Sequence, residues 1–136
     1  MYLIKKFLIL FITFSMHLSS TELTGKRMPS ADEAIKLFVE NEEGQVTINF
    51  HLFEGVYLYK NKIKIYEGRI NYSFELDGSI TNIEDDFFGY QQVLNKDFNI
   101  SFKLLDTVPR NNIYIEYQGC FDNSYCYKKE EKKINL

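Results

Sequence analysis

Cys120 and Cys126 are the only cysteines among 136 residues, with Phe121-Asp122-Asn123-Ser124-Tyr125 between them. A bridge between them would close a loop of about seven residues, which the chain-entropy argument values at roughly 2–2.5 kcal/mol, near the low end for disulfides. In a two-sheet protein a structural disulfide normally spans a long sequence separation and ties the sheets together. Two chemistries are therefore open to this pair. One is an inert hairpin clip joining neighbouring strands. The other is a dithiol that cycles between reduced and oxidised forms, which requires local access for an attacking thiolate. Asp122-Asn123-Ser124 is polar and turn-forming, which places the pair near the surface. Tyr117, Phe121, Tyr125 and Tyr127 surround it with rings that can shield it. Two cysteines are too few for a four-cysteine zinc module or a disulfide-dense miniprotein.

The elements that must position this pair read as strands. Val46, Ile48, Phe50 and Leu52 alternate with Thr47, Asn49 and His51, the period of a half-buried strand. Ile63 and Ile65 alternate with lysines, and Ile70, Tyr72, Phe74 and Leu76 repeat the pattern up to an Asp77-Gly78 turn. Phe98 to Leu104 and Ile113 to Tyr117 do the same, and a short closing strand is expected at Lys133 to Leu136. Only Ala31 to Val39 has helical spacing. With Pro29 before it and Ser30 or Asp32 as caps, a short helical turn is expected there. Many short strands with one apolar face each bury those faces best as two packed sheets, so the fold class expected is all-β, an immunoglobulin-like β-sandwich.

Composition narrows the partners. Hydrophobic residues make up 45% and charged residues 26%, a globular balance. The net charge is −3 with scattered basic residues, which argues against nucleic acid. Lys5 and Lys6 precede an apolar run from Phe7 to Leu18 that exits through Ser19 and Ser20, the pattern of a secretory signal peptide over residues 1–20. The run is shorter than the roughly 20 residues of a membrane span, although an uncleaved anchor is the alternative. No cysteine lies near the exit, which excludes a lipoprotein anchor. Residues 21–136 then form one exported domain. His51 reads as surface, and the sequons at Asn71 and Asn99 fall within strand patterns.

Tyr117-Gln118-Gly119-Cys120 followed by Cys126-Tyr127 resembles the signature of the amino-terminal periplasmic domain of the DsbD family, the thiol:disulfide interchange proteins or protein-disulfide reductases. Pro29-Ser30-Ala31-Asp32-Glu33-Ala34 resembles that family's opening segment. Gly55-Val56-Tyr57-Leu58-Tyr59 with Lys62-Ile63 resembles its G-x-Y-L-Y stretch, and Asp85-Asp86-Phe87-Phe88-Gly89 its acidic-aromatic cap loop. The segments keep the family's order over about residues 28–136. Departures are Lys128-Lys129 where the family has prolines, and Phe88 where it usually has tyrosine. Family proteins continue into a membrane domain and a thioredoxin-like domain. This chain stops after the first, so a separate polypeptide is the expected donor unless the sequence is a fragment.

The resemblance implies a monomeric periplasmic domain that takes two electrons from a thioredoxin-like donor and passes them to oxidised periplasmic proteins, without metal or organic cofactor. Cys126 would form mixed disulfides and Cys120 resolve them. Asp85 and Asp86 are either a simple turn before Phe87 or acids that approach the cysteines, where they would disfavour thiolate or relay a proton. Phe87 and Phe88 are either core residues or a loop tip over the disulfide, with Gly89 as a hinge. Tyr57 and Tyr59 share one face of an extended segment and either fill the core or line the site, as Tyr117 and Tyr127 would. A secreted binding module with a structural disulfide is the competing reading.

Overall fold

Ser30 and Glu33 set the first element. In the computed structural model, which describes residues 27–105 and 112–136, Glu33 accepts the Ser30 backbone N–H at 3.0 Å and pairs with Arg27 at 3.1 Å. These contacts start a one-turn helix, α1 (Ala31–Ala34). The helical spacing does not carry to Val39, because Ile35 adopts an extended backbone and opens strand β1 (Ile35–Glu42). A long pairing with β2 (Gln45–Leu52) outweighs the local helical preference there. The leader read at residues 1–20 lies outside the described residues.

The chain continues through β3 (Val56–Tyr59), a 3₁₀ turn at Lys60–Lys62, β4 (Lys64–Glu67), β5 (Ile70–Tyr72), β6 (Glu75–Asp77), β7 (Ile80–Asp85), β8 (Gly89–Leu94) and β9 (Phe98–Lys103). It ends with β10 (Ile113–Tyr117), β11 (Gly119–Phe121), β12 (Tyr125–Cys126) and β13 (Glu130–Lys133). Described pairings are antiparallel and make three sheets, ordered β1-β2-β9-β6, β13-β10-β4-β5 and β12-β11-β3-β8-β7. The result is the expected all-β, immunoglobulin-like sandwich.

Alternating side chains fill its interior. Val46, Ile48 and Phe50 from β2 and Ile100 and Phe102 from β9 join Ile65, Ile113, Ile115 and Tyr117 from the facing sheet in one cluster. Phe50 stacks on Phe98 at 4.4 Å and meets the edge of Tyr117 at 5.9 Å across the sheets.

Two strand expectations need correction. The run Ile70 to Leu76 is two strands, β5 pairing with β4 and β6 with β9, so the chain changes sheets at Ser73-Phe74. Alternation continues through that break because both halves face the same core. The closing strand lies at Glu130–Lys133 rather than at Lys133 to Leu136. Its pairing with β10 fixes this register, and the Tyr66 hydroxyl donates to Glu131 from the same sheet.

Candidate functional site

Strand β3 is buried on both faces, which is unusual for a four-residue strand in a small sandwich. Val56 and Leu58 enter the main core, while Tyr57 and Tyr59 point the other way. There they form a second, smaller cluster with Val93 and Cys120, against which Ile83 and Cys126 pack. The period of two thus hands alternate residues of one short segment to stability and to the site.

The cysteines come from the neighbouring hairpin. The chain leaves one sheet with β10 and enters another with β11, turning at Gln118, whose carbonyl accepts the Tyr59 N–H at 3.1 Å. Gly119 is required at the next position. A Cβ there would stand 2.4 Å from the Tyr57 carbonyl oxygen and 2.5 Å from Leu58 Cδ2. Only a residue without a side chain lets β11 approach β3 so closely. Asp122 and Asn123 adopt positive φ, 46° and 54°, and reverse the chain so that Cys120 and Cys126 face each other across β11 and β12. They are joined as a disulfide, with Cα atoms 3.9 Å apart. Cys120 is fully buried and Cys126 only partly.

Asp85 organises the polar side of this cluster. It is 2% exposed. Its Oδ2 accepts the Tyr57 hydroxyl at 2.5 Å and the Tyr59 hydroxyl at 2.7 Å, and its Oδ1 accepts the backbone N–H groups of Phe87 and Phe88, each at 2.8 Å. Burial is the largest influence on Asp85 and opposes ionisation, yet these four donors together outweigh it and hold the carboxyl below its ordinary range. Burial, and then the hydrogen bond each donates to Asp85, raise both tyrosines well above the usual phenol value. The unit is a carboxylate shared by two firmly protonated phenols.

Tyr59 connects that unit to sulfur. Its hydroxyl lies 2.9 Å from Cys120 Sγ and 3.8 Å from Cys126 Sγ. A disulfide carries no hydrogen, so the Tyr59 proton belongs to Asp85 while the bridge is closed. Tyr57 makes the parallel contact to the hairpin, its hydroxyl oxygen 2.7 Å from the Asn123 side-chain amide. The contacting atom is Asn123 Oδ1, so Asp85 Oδ2 and the Asn123 amide oxygen are two acceptors on one hydroxyl hydrogen.

The segment Asp86-Phe87-Phe88 is the turn between β7 and β8, closed by Gly89 at φ 71°. Its two rings are not equivalent. Phe88, itself 42% exposed, meets the ring of Tyr59 at 5.1 Å and 80°; Phe87 is 49% exposed and Asp86 is exposed. Asp86 acts only at a distance, its charge adding to the rise at Tyr57. Tyr117 and Tyr127 belong to the interior cluster instead of the group around the sulfurs, and the Tyr127 hydroxyl donates to the Pro29 carbonyl at 3.0 Å. Their neighbouring positions in the motif serve packing. Asn123 and Gln118 were not singled out for a role by sequence reasoning. The turn signal at Asp122-Asn123-Ser124 carried a trace of the first, and the Tyr117-Gln118-Gly119-Cys120 motif contained the second without assigning it a role. Among the described residues no cluster of three His, Cys, Asp or Glu side chains that could hold a metal ion occurs.

Known proteins resemble this chain in sequence and fold. The family described as "Thiol:disulfide interchange protein DsbD, N-terminal" matches residues 26–136. Thiol:disulfide interchange protein DsbD of Cronobacter sakazakii is 24% identical over 135 residues, which is 96% of this chain and 24% of that protein. The Salmonella typhi protein of the same name is 27% identical over 107 residues, 78% of this chain and 19% of that one. The chain therefore spans a quarter or less of the length of these curated relatives. The Neisseria meningitidis DsbD n-terminal domain in its reduced form superposes with TM-score 0.67 at 21% identity, covering 80% of this chain and 89% of that one. A second Neisseria meningitidis structure, a complex between the DsbD N-terminal and PilB N-terminal domains, gives TM-score 0.58 at 23% identity and covers 78% and 84%. With the match running from residue 26 to the last residue, the chain belongs to the family of DsbD amino-terminal domains, a periplasmic family of thiol:disulfide interchange proteins.

Proposed function

We propose that this domain relays two electrons by thiol–disulfide exchange through Cys120 and Cys126, from a thioredoxin-like donor to oxidised periplasmic proteins. The observation that carries the reading is the asymmetry of the pair: Cys126 is partly exposed, while Cys120 is buried against the Tyr59 hydroxyl. A donor thiolate attacks Cys126 Sγ, the Cys120–Cys126 bond breaks, and Cys120 departs as a thiolate. The donor's second thiolate then attacks its own sulfur in the mixed disulfide and releases Cys126. The donor is oxidised to a disulfide and the domain is left with two thiols after proton uptake. Toward an acceptor the steps reverse, with Cys126 attacking and Cys120 resolving. That a relative forms a complex with a PilB N-terminal domain supports docking of a protein partner at this domain.

Tyr59 and Asp85 supply the local chemistry in this reading. When Cys120 leaves as a thiolate, the Tyr59 hydroxyl can turn its hydrogen toward the sulfur. That turn gives up the bond to Asp85, which the Tyr57 hydroxyl and the backbone N–H groups of Phe87 and Phe88 continue to hold, while the Phe88 ring packs against the phenol. The negative Asp85, set behind two phenols, disfavours a lingering thiolate and so favours protonation of Cys120. Sequence reasoning assigned that influence to Asp85 and Asp86 together; the buried position of Asp85 makes it the stronger candidate.

The reduction potential of the pair tests the proposal. Equilibration in glutathione or thioredoxin buffers is expected to give a value between about −200 and −270 mV, the range of working exchangers. A value below about −300 mV would assign the bridge a structural role. The second arm uses Cys120→Ala, which is expected to trap a mixed disulfide at Cys126 with a thioredoxin-like protein.

A further inference from the structure

The 3₁₀ turn at Lys60–Lys62 touches the cap at three points in succession. Lys60 Nζ donates to Gln92 Oε1 at 3.2 Å, and Asn61 Nδ2 donates to Gln91 Oε1 at 3.3 Å. Gln91 in turn donates through Nε2 to the Phe88 carbonyl at 2.9 Å. Lys62 reaches furthest. Its ammonium sits 3.4 Å from the centroid of the Phe88 ring and 5.4 Å from that of Tyr59. The same ammonium donates to Gln118 Oε1 at 3.1 Å, and Gln118 Nε2 donates to the carbonyl of Tyr127, the residue after Cys126. Lys62, Phe88 and Tyr59 thus meet as a triangle, the two rings edge to face at 80° and Tyr59 reaching on to the sulfurs, and Gln118 ties the Lys62 corner to the base of the cysteine hairpin.

We propose that Lys62 is a positioning residue for the exchange site, holding the Phe88 ring over Tyr59 and coupling that closed cap to the Cys126 strand through Gln118. The inference rests on the exchange reading above. Phenylalanine at 88 has no hydroxyl with which to anchor itself, so its hold on the site depends on its ring faces. A cation over one face, with the Tyr59 ring against it, supplies that hold. The Lys128-Lys129 pair follows Tyr127 without proline's rigidity, which leaves the Gln118 contact as a local tether on that strand.

The oxidised protein reduced by dithiothreitol tests the role. Lys62→Met is expected to speed reduction by about 2- to 5-fold, the loss of one partly exposed cation–π contact. Electrostatics alone predicts the opposite sign, because removing a cation slows an approaching thiolate. Lys62→Arg is expected to restore the slow rate. Phe88→Leu is expected to speed reduction by itself and to abolish the effect of Lys62→Met, with thermal midpoints unchanged in all variants. A Lys62→Met protein that reacts no faster, or one whose acceleration persists in full alongside Phe88→Leu, overturns the proposal. Trapping a mixed disulfide with Cys120→Ala leaves Lys62 intact, so a failure of the exchange reading is seen separately.

Discussion

The Tyr59 hydroxyl stands 2.9 Å from Cys120 Sγ while it donates to Asp85 at 2.7 Å. One phenol therefore joins the buried sulfur to a buried carboxylate. Tyr59→Phe keeps the ring that packs against Phe88 and removes only the hydroxyl. A hydrogen bond to a charged group contributes about 1.5–3 kcal/mol, so reduction of the bridge by a thioredoxin-like protein is expected to slow roughly 10- to 100-fold. Stopped-flow measurement of that rate checks the point. An unchanged rate would remove Tyr59 from the chemistry and leave it as packing.

Asp85 makes stability depend on pH in a defined direction. Its carboxyl is held below the ordinary range by four donated hydrogen bonds that outweigh the cost of burial. A group depressed on folding stabilises fully above its unfolded value, about pH 4, and that stability fades as the pH falls through the folded value. Thermal midpoints are therefore expected to fall below about pH 4, and the part due to this group to vanish in Asp85→Asn. At neutral pH the same variant is expected to cost about 1–3 kcal/mol, because the charge-assisted bonds weaken. Parallel acid profiles for the two proteins would count against a depressed Asp85.

The two cap phenylalanines should behave differently. Both rings are about half exposed, but the Phe88 ring meets that of Tyr59 at 5.1 Å and the Lys62 ammonium at 3.4 Å. Phe88→Ala is expected to accelerate reaction of the bridge with small thiols several-fold, and Phe87→Ala to do so by less. Both exposed positions should cost under about 1 kcal/mol of stability. The sequence reading treated the two rings alike, as core residues or as a loop tip over the disulfide. Equal acceleration by both variants would restore that view.

Much of this arrangement could be read from residue order. Alternation at Val46–Leu52, Phe98–Leu104 and Ile113–Tyr117 located β2, β9 and β10, because half-buried strands leave a period of two. The cysteine spacing located the hairpin. The break between β5 and β6 was not legible, since the apolar face stays continuous where the chain changes sheets. Nor was the division of labour in β3, where a doubly buried strand gives Val56 and Leu58 to the core and Tyr57 and Tyr59 to the site. Aromatic content near Cys120 and Cys126 suggested that Tyr117 and Tyr127 line the bridge. Tyr117 ends β10, in a different sheet from the Cys120 strand β11, and its ring goes to the core across from Phe50.

Gly119 and Gly89 are required for different reasons and should respond differently to alanine. At Gly119 the added Cβ meets backbone at 2.4 Å, whereas at Gly89 it meets open space but must hold φ at 71°. Gly119→Ala is expected to cost about 3 kcal/mol or more, since β3 and β11 must separate. Gly89→Ala is expected to cost about 1–2 kcal/mol, the strain of a left-handed residue. Denaturant midpoints rank the two. A reversed ranking would mean that β11 can shift away from β3 at little cost.

The fold should outlast the bridge. Cys120 and Cys126 lie on paired strands closed by a three-residue turn, so the disulfide restrains residues that β-pairing already holds. Hydrogen bonds from Asp122 N–H to the Gly55 carbonyl and from Tyr127 N–H to the Gly119 carbonyl fasten the hairpin independently of sulfur. Loss of the short loop is worth about 2–2.5 kcal/mol at most, while the main core lies on the opposite face of β3. The double variant Cys120→Ala with Cys126→Ala is therefore expected to unfold cooperatively with a midpoint lowered by no more than this amount allows. Amide exchange should show protection kept in β2, β9 and β10 and reduced only in β11 and β12. Such a protein can open and close its bridge on every cycle without unfolding. Protection lost throughout β2, β9 and β10 would instead make the disulfide part of the framework, and an exchange cycle through it untenable.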